Sequence, residues 1–192
     1  MATPRSYGST PVTSSPSSYD PAGAIAYPLA SRGERFPFVA PDATAFLLGT
    51  LANDADQWAA LLQGVGLVER LCLDYLDHLG APLHGPFTFT GGAVRSDHWN
   101  QLRADILGRE VRIPRAAEPA LGMAVLAAYG ADGAATLSGA AERMVRLRGT
   151  VRPRRGERFT EPYLTMVAEL ERRGWLPEPV AAHARARTEE SR

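Results

Sequence analysis

At 192 residues, with 45% hydrophobic and 22% charged side chains, the chain has the size and composition of one globular domain with room for a tail or two. Lys plus Arg equals Asp plus Glu at 21 each, so no net charge draws it to nucleic acid or an anionic membrane. The single cysteine, Cys72, excludes an internal disulfide and a cysteine metal site. No apolar run reaches the roughly 20 residues that span a bilayer, and the N-terminus carries no apolar signal core, so a cytoplasmic protein is expected.

Residues 1–20 are dominated by Ser, Thr and Pro and lack hydrophobic periodicity; they read as a disordered leader. Ala24 to Tyr27 suggests a short buried strand. The Gly-, Pro- and aromatic-rich text that follows reads as an ordered loop pinned by Phe36, Phe38 and Phe46. Its charged trio, Arg32, Glu34 and Arg35, fits local ion pairs and caps better than ligand contact. Asn53 to Leu79 is the strongest helix: Asp54 can cap it, Trp58, Leu61, Leu62, Val65, Val68, Leu71, Cys72, Tyr75 and Leu79 keep the helical period, and Gly80 stops it. Cys72 within that stripe reads as a small buried thiol. Gly64 and Gly66 interrupt good helix formers at about 1 kcal/mol each, a cost that suits close approach of another backbone element more than ligand contact.

Phe87 to Thr90 reads as a short strand that runs into Gly91-Gly92. Ser96 can cap the next helix, with Asp97 in its first turn, Trp99, Leu102 and Ile106 as its stripe, and Gly108 at its end. Glu110 to Ile113 alternates as a strand closed by Pro114, and Glu118 to Tyr129 predicts a small-residue helix ended by Gly130. Strand, helix, strand, helix in this order argues for an α/β layer. Beyond Gly130 the pattern weakens to a short helix over Leu137 to Met144, a basic linker or arm from Thr150 to Arg158, and a final helix from Thr160. That helix buries Tyr163, Met166, Val167 and Leu170 and stops at Gly174 with Trp175 and Leu176 as a clasp. Residues past Pro179 are expected to fray.

One arrangement carries a physical mechanism for ligand binding. In Thr90-Gly91-Gly92-Ala93-Val94-Arg95-Ser96 a strand ends, two glycines turn the backbone and a helix begins. Glycine lets the main chain approach a ligand without an intervening Cβ, and N–H groups at a helix start suit a phosphate or the edge of a nucleotide. Taken locally, the same arrangement also serves as a tight connection. The Gly-x-x-x-x-Gly-Lys-[Ser/Thr] and Gly-x-Gly-x-x-Gly fingerprints are absent. His78, His84, His98 and His183 lack metal-ligand spacing, no Ser/His/Asp or Cys/His set is suggested, and Asp105 reads as a helix-end ion pair with Arg103 and Arg109.

Three ordered blocks resemble the C-terminal domain of the FGGY carbohydrate kinases, the family of glycerol, xylulose, ribulose and fuculose kinases. The first is Tyr27-Pro28-Leu29 with Gly33-Glu34-Arg35-Phe36-Pro37; the second is Leu61 to Arg70. The third runs from Thr90-Gly91-Gly92-Ala93-Val94-Arg95-Ser96 through Trp99, Gln101, Ala104 to Arg109, Val111 and Pro114 to the Ala120–Ala128 segment. The resemblance implies an α/β, partial actin-like (ribonuclease H-like) ATPase domain over residues 21–149, followed by a helical tail over 150–192. It also implies ATP with Mg2+ as cofactor. The turn residues Gly91, Gly92 and Ala93 would pack against the nucleotide and Ser96, where some relatives carry Asn, would reach the adenine.

The family's catalytic Asp, its sugar-binding residues and its phosphate loops lie ahead of the matched blocks. The resemblance therefore nominates no catalytic and no metal-binding residue here. It leads to the expectation of a truncated or split sugar kinase of pentulose type, inactive alone. The alternative is a non-catalytic nucleotide-binding or protein-interaction remnant. Implied partners are ATP, a sugar only together with the N-terminal domain, and a complementary N-terminal half or a second copy of the chain.

Overall fold

The computed structural model describes residues 19–131, 135–154 and 156–190. The expected leader falls on residues 1–18, outside the described residues, apart from its last two. Tyr19 lies 4.6 Å from the His98 ring and 3.7 Å under the Arg154 guanidinium, and Asp20 pairs with Arg158 at 2.5 Å.

Strand β1 (Ala24–Tyr27) forms as the sequence predicts, but it has a partner the sequence did not reveal. Phe46–Gly49 is strand β2, antiparallel to β1 with Ala24 opposite Gly49 and Tyr27 opposite Phe46. The intervening loop is pinned by Phe38, which is buried, by Phe46 stacked 5.3 Å from Tyr27, and by Phe36 edge-on to Tyr75 at 5.6 Å. Within the charged trio, Glu34 accepts the Tyr27 hydroxyl at 2.7 Å; burial, then this carboxylate, push the phenol well above its ordinary range.

Helix α1 (Asp54–His78) is the longest element, and its cap is Asn53, one residue before the expected Asp54. Asn53 accepts the N–H of Asp56 at 3.0 Å, and Asp56 in turn receives the N–H groups of Gly23 and Ala52. Its glycines are points of close approach, as expected. A Cβ on Gly64 would stand 2.2 Å from the Ala26 carbonyl oxygen of β1, and one on Gly66 would stand 2.5 Å from Cδ1 of Ile106. Cys72 is half-buried, and burial pushes its thiol up to about 11, where the thiolate is scarce.

Strand β3 (Phe87–Thr88) runs parallel to β4 (Val111–Pro114), joined by helix α2 (Asp97–Leu107). Leu102 and Ile106 of α2 face α1, whereas Ala104 joins Phe89, Val94, Val111 and Ile113 in a second core beneath the sheet. Helix α3 (Pro119–Gly130) forms as expected but buries only Val125 among its residues, with Met123, Leu126 and Tyr129 exposed. Helix α4 (Leu137–Met144) packs on it.

Three features of the C-terminal third differ from expectation. Leu147–Val151 is strand β5, antiparallel to β4, in a stretch to which the sequence assigns no element before the expected linker at Thr150; its largely exposed side chains show no apolar alternation, so pairing rather than burial defines it. Asp105 does not pair with Arg103 or Arg109. It is fully buried and accepts the Arg154 N–H at 2.8 Å, the Arg154 guanidinium at 2.9 Å and Gln101 Nε2 at 2.9 Å, with Arg158 at 3.8 Å. Arg103 instead pairs with Glu69 and stacks on Phe89, and Arg109 donates to the Leu83 carbonyl. Third, the tail past Pro179 does not fray. After α5 (Thr160–Arg172), Glu178–Glu190 forms helix α6, whose Val180, Ala181, Ala184 and Thr188 are buried against α1 and α5. The stop at Gly174 is as read, with Trp175 and Leu176 both donating to the Leu170 carbonyl.

Gly64→Ala brings a Cβ against main chain, and thermal melting should show a loss of about 2 kcal/mol or more. Gly66→Ala meets Cδ1 of Ile106, which is fully buried and must give way inside the core; the clash outweighs a propensity gain of about 1 kcal/mol, and a net loss of about 1 kcal/mol, smaller than that of Gly64→Ala, is expected. Asp105→Asn leaves Arg154 without its anion. Because Arg154 can turn to water, urea unfolding should show a loss of about 2 kcal/mol rather than the 3–5 kcal/mol typical of a fully buried pair.

Candidate nucleotide site

The strand–turn–helix segment is held at both ends. Phe89 donates to the Arg112 carbonyl at 3.0 Å, which keeps the exit of β3 on the sheet, and Gly91 donates to the Ala117 carbonyl at 2.7 Å, which ties the turn to the start of α3. Gly91 has φ 86° and ψ 177°, a region that is essentially restricted to glycine. Gly92 to Arg95 then make one turn of 3-10 helix. Its interior anchor is Val94, buried beneath the sheet, whose carbonyl accepts Asn100 Nδ2 at 2.8 Å and Arg148 at 3.3 Å.

The outer surface of the turn is open. Among the described residues, no atom beyond the adjoining residues lies within 4 Å of the position a Cβ would take on Gly91 or on Gly92. Gly92 and Ala93, at the start of the helical turn, present N–H groups that no backbone carbonyl among the described residues accepts, as the first residues of a helix do. Ser96 is exposed and caps α2, its Oγ accepting the Trp99 N–H at 3.2 Å, which leaves its hydroxyl proton for another acceptor. Gly91, Gly92, Ala93 and Ser96 are thus brought together on one solvent-facing rim.

Two residues important to this geometry were not nominated from the sequence. Asn100 is fully buried and positions the Val94 carbonyl; its Oδ1 has no hydrogen-bond partner among the described residues. Arg148 reaches from β5 to both Val94 and Asp97, the latter at 2.8 Å. A polar Asn flanked by Trp99 and the Leu102 stripe was a usable signal for the first. The second depends on the pairing of β5, which local sequence does not report. The carboxylates flanking the turn are engaged: Asp97 with Arg148, and Glu118 with Arg95 at 3.6 Å. The described residues contain no group of three His, Cys, Asp or Glu side chains that could hold a metal ion, and no helix among them is long and apolar enough to cross a membrane.

Over 79% of its length the chain matches solved kinase structures of the actin-like ATPase fold, in their C-terminal part. The sequence profile of the FGGY family of carbohydrate kinases, C-terminal domain, matches residues 7–131, and the chain belongs to that family. It is 28% identical over 117 residues to a xylulose kinase of Bacillus subtilis, covering 59% of this chain and 23% of that protein. It is also 28% identical over 102 residues to an autoinducer-2 kinase of Photorhabdus laumondii, covering 53% of this chain and 19% of the relative. The structure of a ligand-bound xylulose kinase from Lactobacillus acidophilus superposes with a TM-score of 0.67 at 18% identity, over 79% of this chain and 32% of the other. The chain thus spans about a fifth of the length of these curated relatives.

Two substitutions separate fold from site. Gly91→Ala strains the backbone and should cost about 1–3 kcal/mol in a thermal melt whether or not ligand is present. Gly92→Val enters open space, so its melting should stay within about 0.5 kcal/mol of the parent.

Proposed function

We propose that this chain supplies the nucleotide-binding part of an ATP-dependent kinase that phosphorylates an alcohol group of a carbohydrate, of pentulose type. The observation that carries the reading is the rim formed by Gly91, Gly92, Ala93 and Ser96: open above both glycines, with unclaimed N–H groups at Gly92 and Ala93, in the segment matched by the family. Those groups fit the edge of a nucleotide, with Ser96 as a hydroxyl donor at the base and the helical turn favouring negative charge. ATP, when bound, supplies the phosphoryl group. Among the described residues no group of three His, Cys, Asp or Glu side chains stands at the rim to hold Mg2+, so the metal would come with the nucleotide phosphates rather than from a protein site here.

Phosphoryl transfer needs in-line positioning and a carboxylate to take the alcohol proton. The chain spans about a fifth of its curated kinase relatives, which supports the reading that it binds nucleotide without turning it over alone. A second reading, a non-catalytic binding or interaction remnant, is favoured by the exposed apolar side chains of α3, Met123, Leu126 and Tyr129. Such a face suits docking of further polypeptide.

Calorimetry with ATP and ADP distinguishes the readings. The kinase reading expects binding by the full chain that falls at least tenfold in Gly92→Val, no ADP formed from MgATP with a panel of ketoses, and turnover when a polypeptide carrying the remainder of such a kinase is added. Absence of nucleotide binding favours the remnant, and robust turnover by the chain alone overturns the claim that it needs a complement.

A further inference from the structure

The far end of α2 opens on a cavity of about 620 Å³ between α1, the 153–160 crossover and α6. Eleven helical residues separate it from the Gly91-Gly92 turn, about 16 Å at the usual rise, so the two are different places on the molecule. Five arginines line the cavity. Three have carboxylates behind them: Arg154 with Asp105, Arg158 with Asp20, and Arg187 with Asp74 at 3.1 Å and Asp77 at 2.6 Å.

The other two are not matched in this way. Arg70 donates to Thr188 Oγ1 at 3.1 Å and lies 4.2 Å over the Tyr163 ring. Arg109 donates to the Leu83 carbonyl at 2.5 Å and lies 4.9 Å over the Phe87 ring. Neither makes an ion pair with a carboxylate among the described residues. Each guanidinium carries five N–H donors, and an aromatic ring occupies its face rather than its edge. Arg70 is further marked by desolvation, which lowers its pKa against the pull of Tyr163 and Asp74. Of the cavity's own acids, Asp74 lies close enough to Arg70 to act on its charge but is hydrogen-bonded to the Tyr163 hydroxyl and paired with Arg187, and Glu157 is exposed.

We propose that this cavity binds a small phosphate-bearing metabolite through Arg70 and Arg109. The class follows from charge and shape. A phosphate monoester carries about −1.5 to −2 at neutral pH and so suits two guanidinium groups that have no ion-paired carboxylate of their own, whereas a monocarboxylate suits one. The guanidinium fork meets phosphate oxygens two at a time. Thr160 adds a hydroxyl, and Leu73, Leu83 and Ile106 supply apolar wall for the rest of the molecule. The volume lies within the roughly 300–1,000 Å³ typical of small-molecule sites.

Calorimetric titration of the full chain with inorganic phosphate, and with acetate at matched ionic strength, tests this. Phosphate is expected to bind and acetate to give no saturable heat. Arg109→Gln should weaken phosphate binding about tenfold or more, the worth of a charge-assisted hydrogen-bonded contact. Arg109→Lys, which keeps the charge and the fold if the Gln variant melts early, should weaken it several-fold through loss of the fork. Gly92→Val should leave phosphate affinity unchanged, which also separates this site from the nucleotide rim, so that either proposal can fail while the other stands. No phosphate binding, equal binding of acetate, unchanged affinity in the folded Arg109 variants, or loss of binding in Gly92→Val each overturns the proposal.

Discussion

The close approach of α1 to its two neighbours through Gly64 and Gly66 is the constraint on which the rest of the structure hangs. One glycine admits the main chain of β1, the other admits Ile106 of α2. Without side chains at these points α1 lies against both at once, and Leu67, Leu71, Leu102 and Ile106 close into one core with Tyr27 and the buried face of α5. The position of α2 is therefore fixed from behind, by backbone clearance. Since the Gly91-Gly92 turn leads directly into α2, the location of the rim is a consequence of that packing. The cost in helix propensity, about 1 kcal/mol per glycine, is borne inside a 25-residue helix whose stability comes from tertiary burial on several sides.

A second constraint acts from the other direction. Asp105 is a buried carboxylate, and a buried charge must gather hydrogen-bond donors or be neutralised. It gathers Gln101 from its own helix and the backbone and guanidinium of Arg154 from the crossover, with Arg158 beyond. This holds residues 152–158 against α2, and with them β5 and the start of α5. Through Arg148 on β5 the same arrangement returns to the turn, where it binds the Val94 carbonyl and Asp97. The C-terminal third thus supports the candidate site without contributing a residue to its surface.

What the sequence made legible and what it hid divide along physical lines. Elements with strong apolar periodicity were readable to within a residue or two: α1, α2, the Tyr163-Met166-Val167-Leu170 face of α5, and the alternation of β4. The turn could be placed because a glycine pair between an alternating run and a Ser cap interrupts both periodicities. Strand β2 was hidden inside an aromatic loop because its alternating burial is shallow, and β5 because an exposed edge strand is defined by its partner. Helix α6 escaped because its buried face is made of Val180, Ala181, Ala184 and Thr188, small side chains that add little to a hydropathy profile. Asp105 was misassigned to Arg103 and Arg109 because neighbours along a helix are visible in sequence, whereas a partner about fifty residues away is not.

The two glycines of the turn bear differently on function. Gly91 is required by the fold, since its backbone angles belong to glycine, and its presence says nothing about a ligand. Gly92 is not required in this way: its φ is ordinary, and among the described residues no atom beyond the adjoining ones stands where a Cβ would be. Glycine in an open helical turn loses more backbone entropy on ordering than alanine would, at roughly 0.5–1 kcal/mol, with no packing return. In the proposed function, a nucleotide that approaches the Gly92 and Ala93 N–H groups from outside, where a side chain would stand in its way, would supply the return that the protein's own atoms do not.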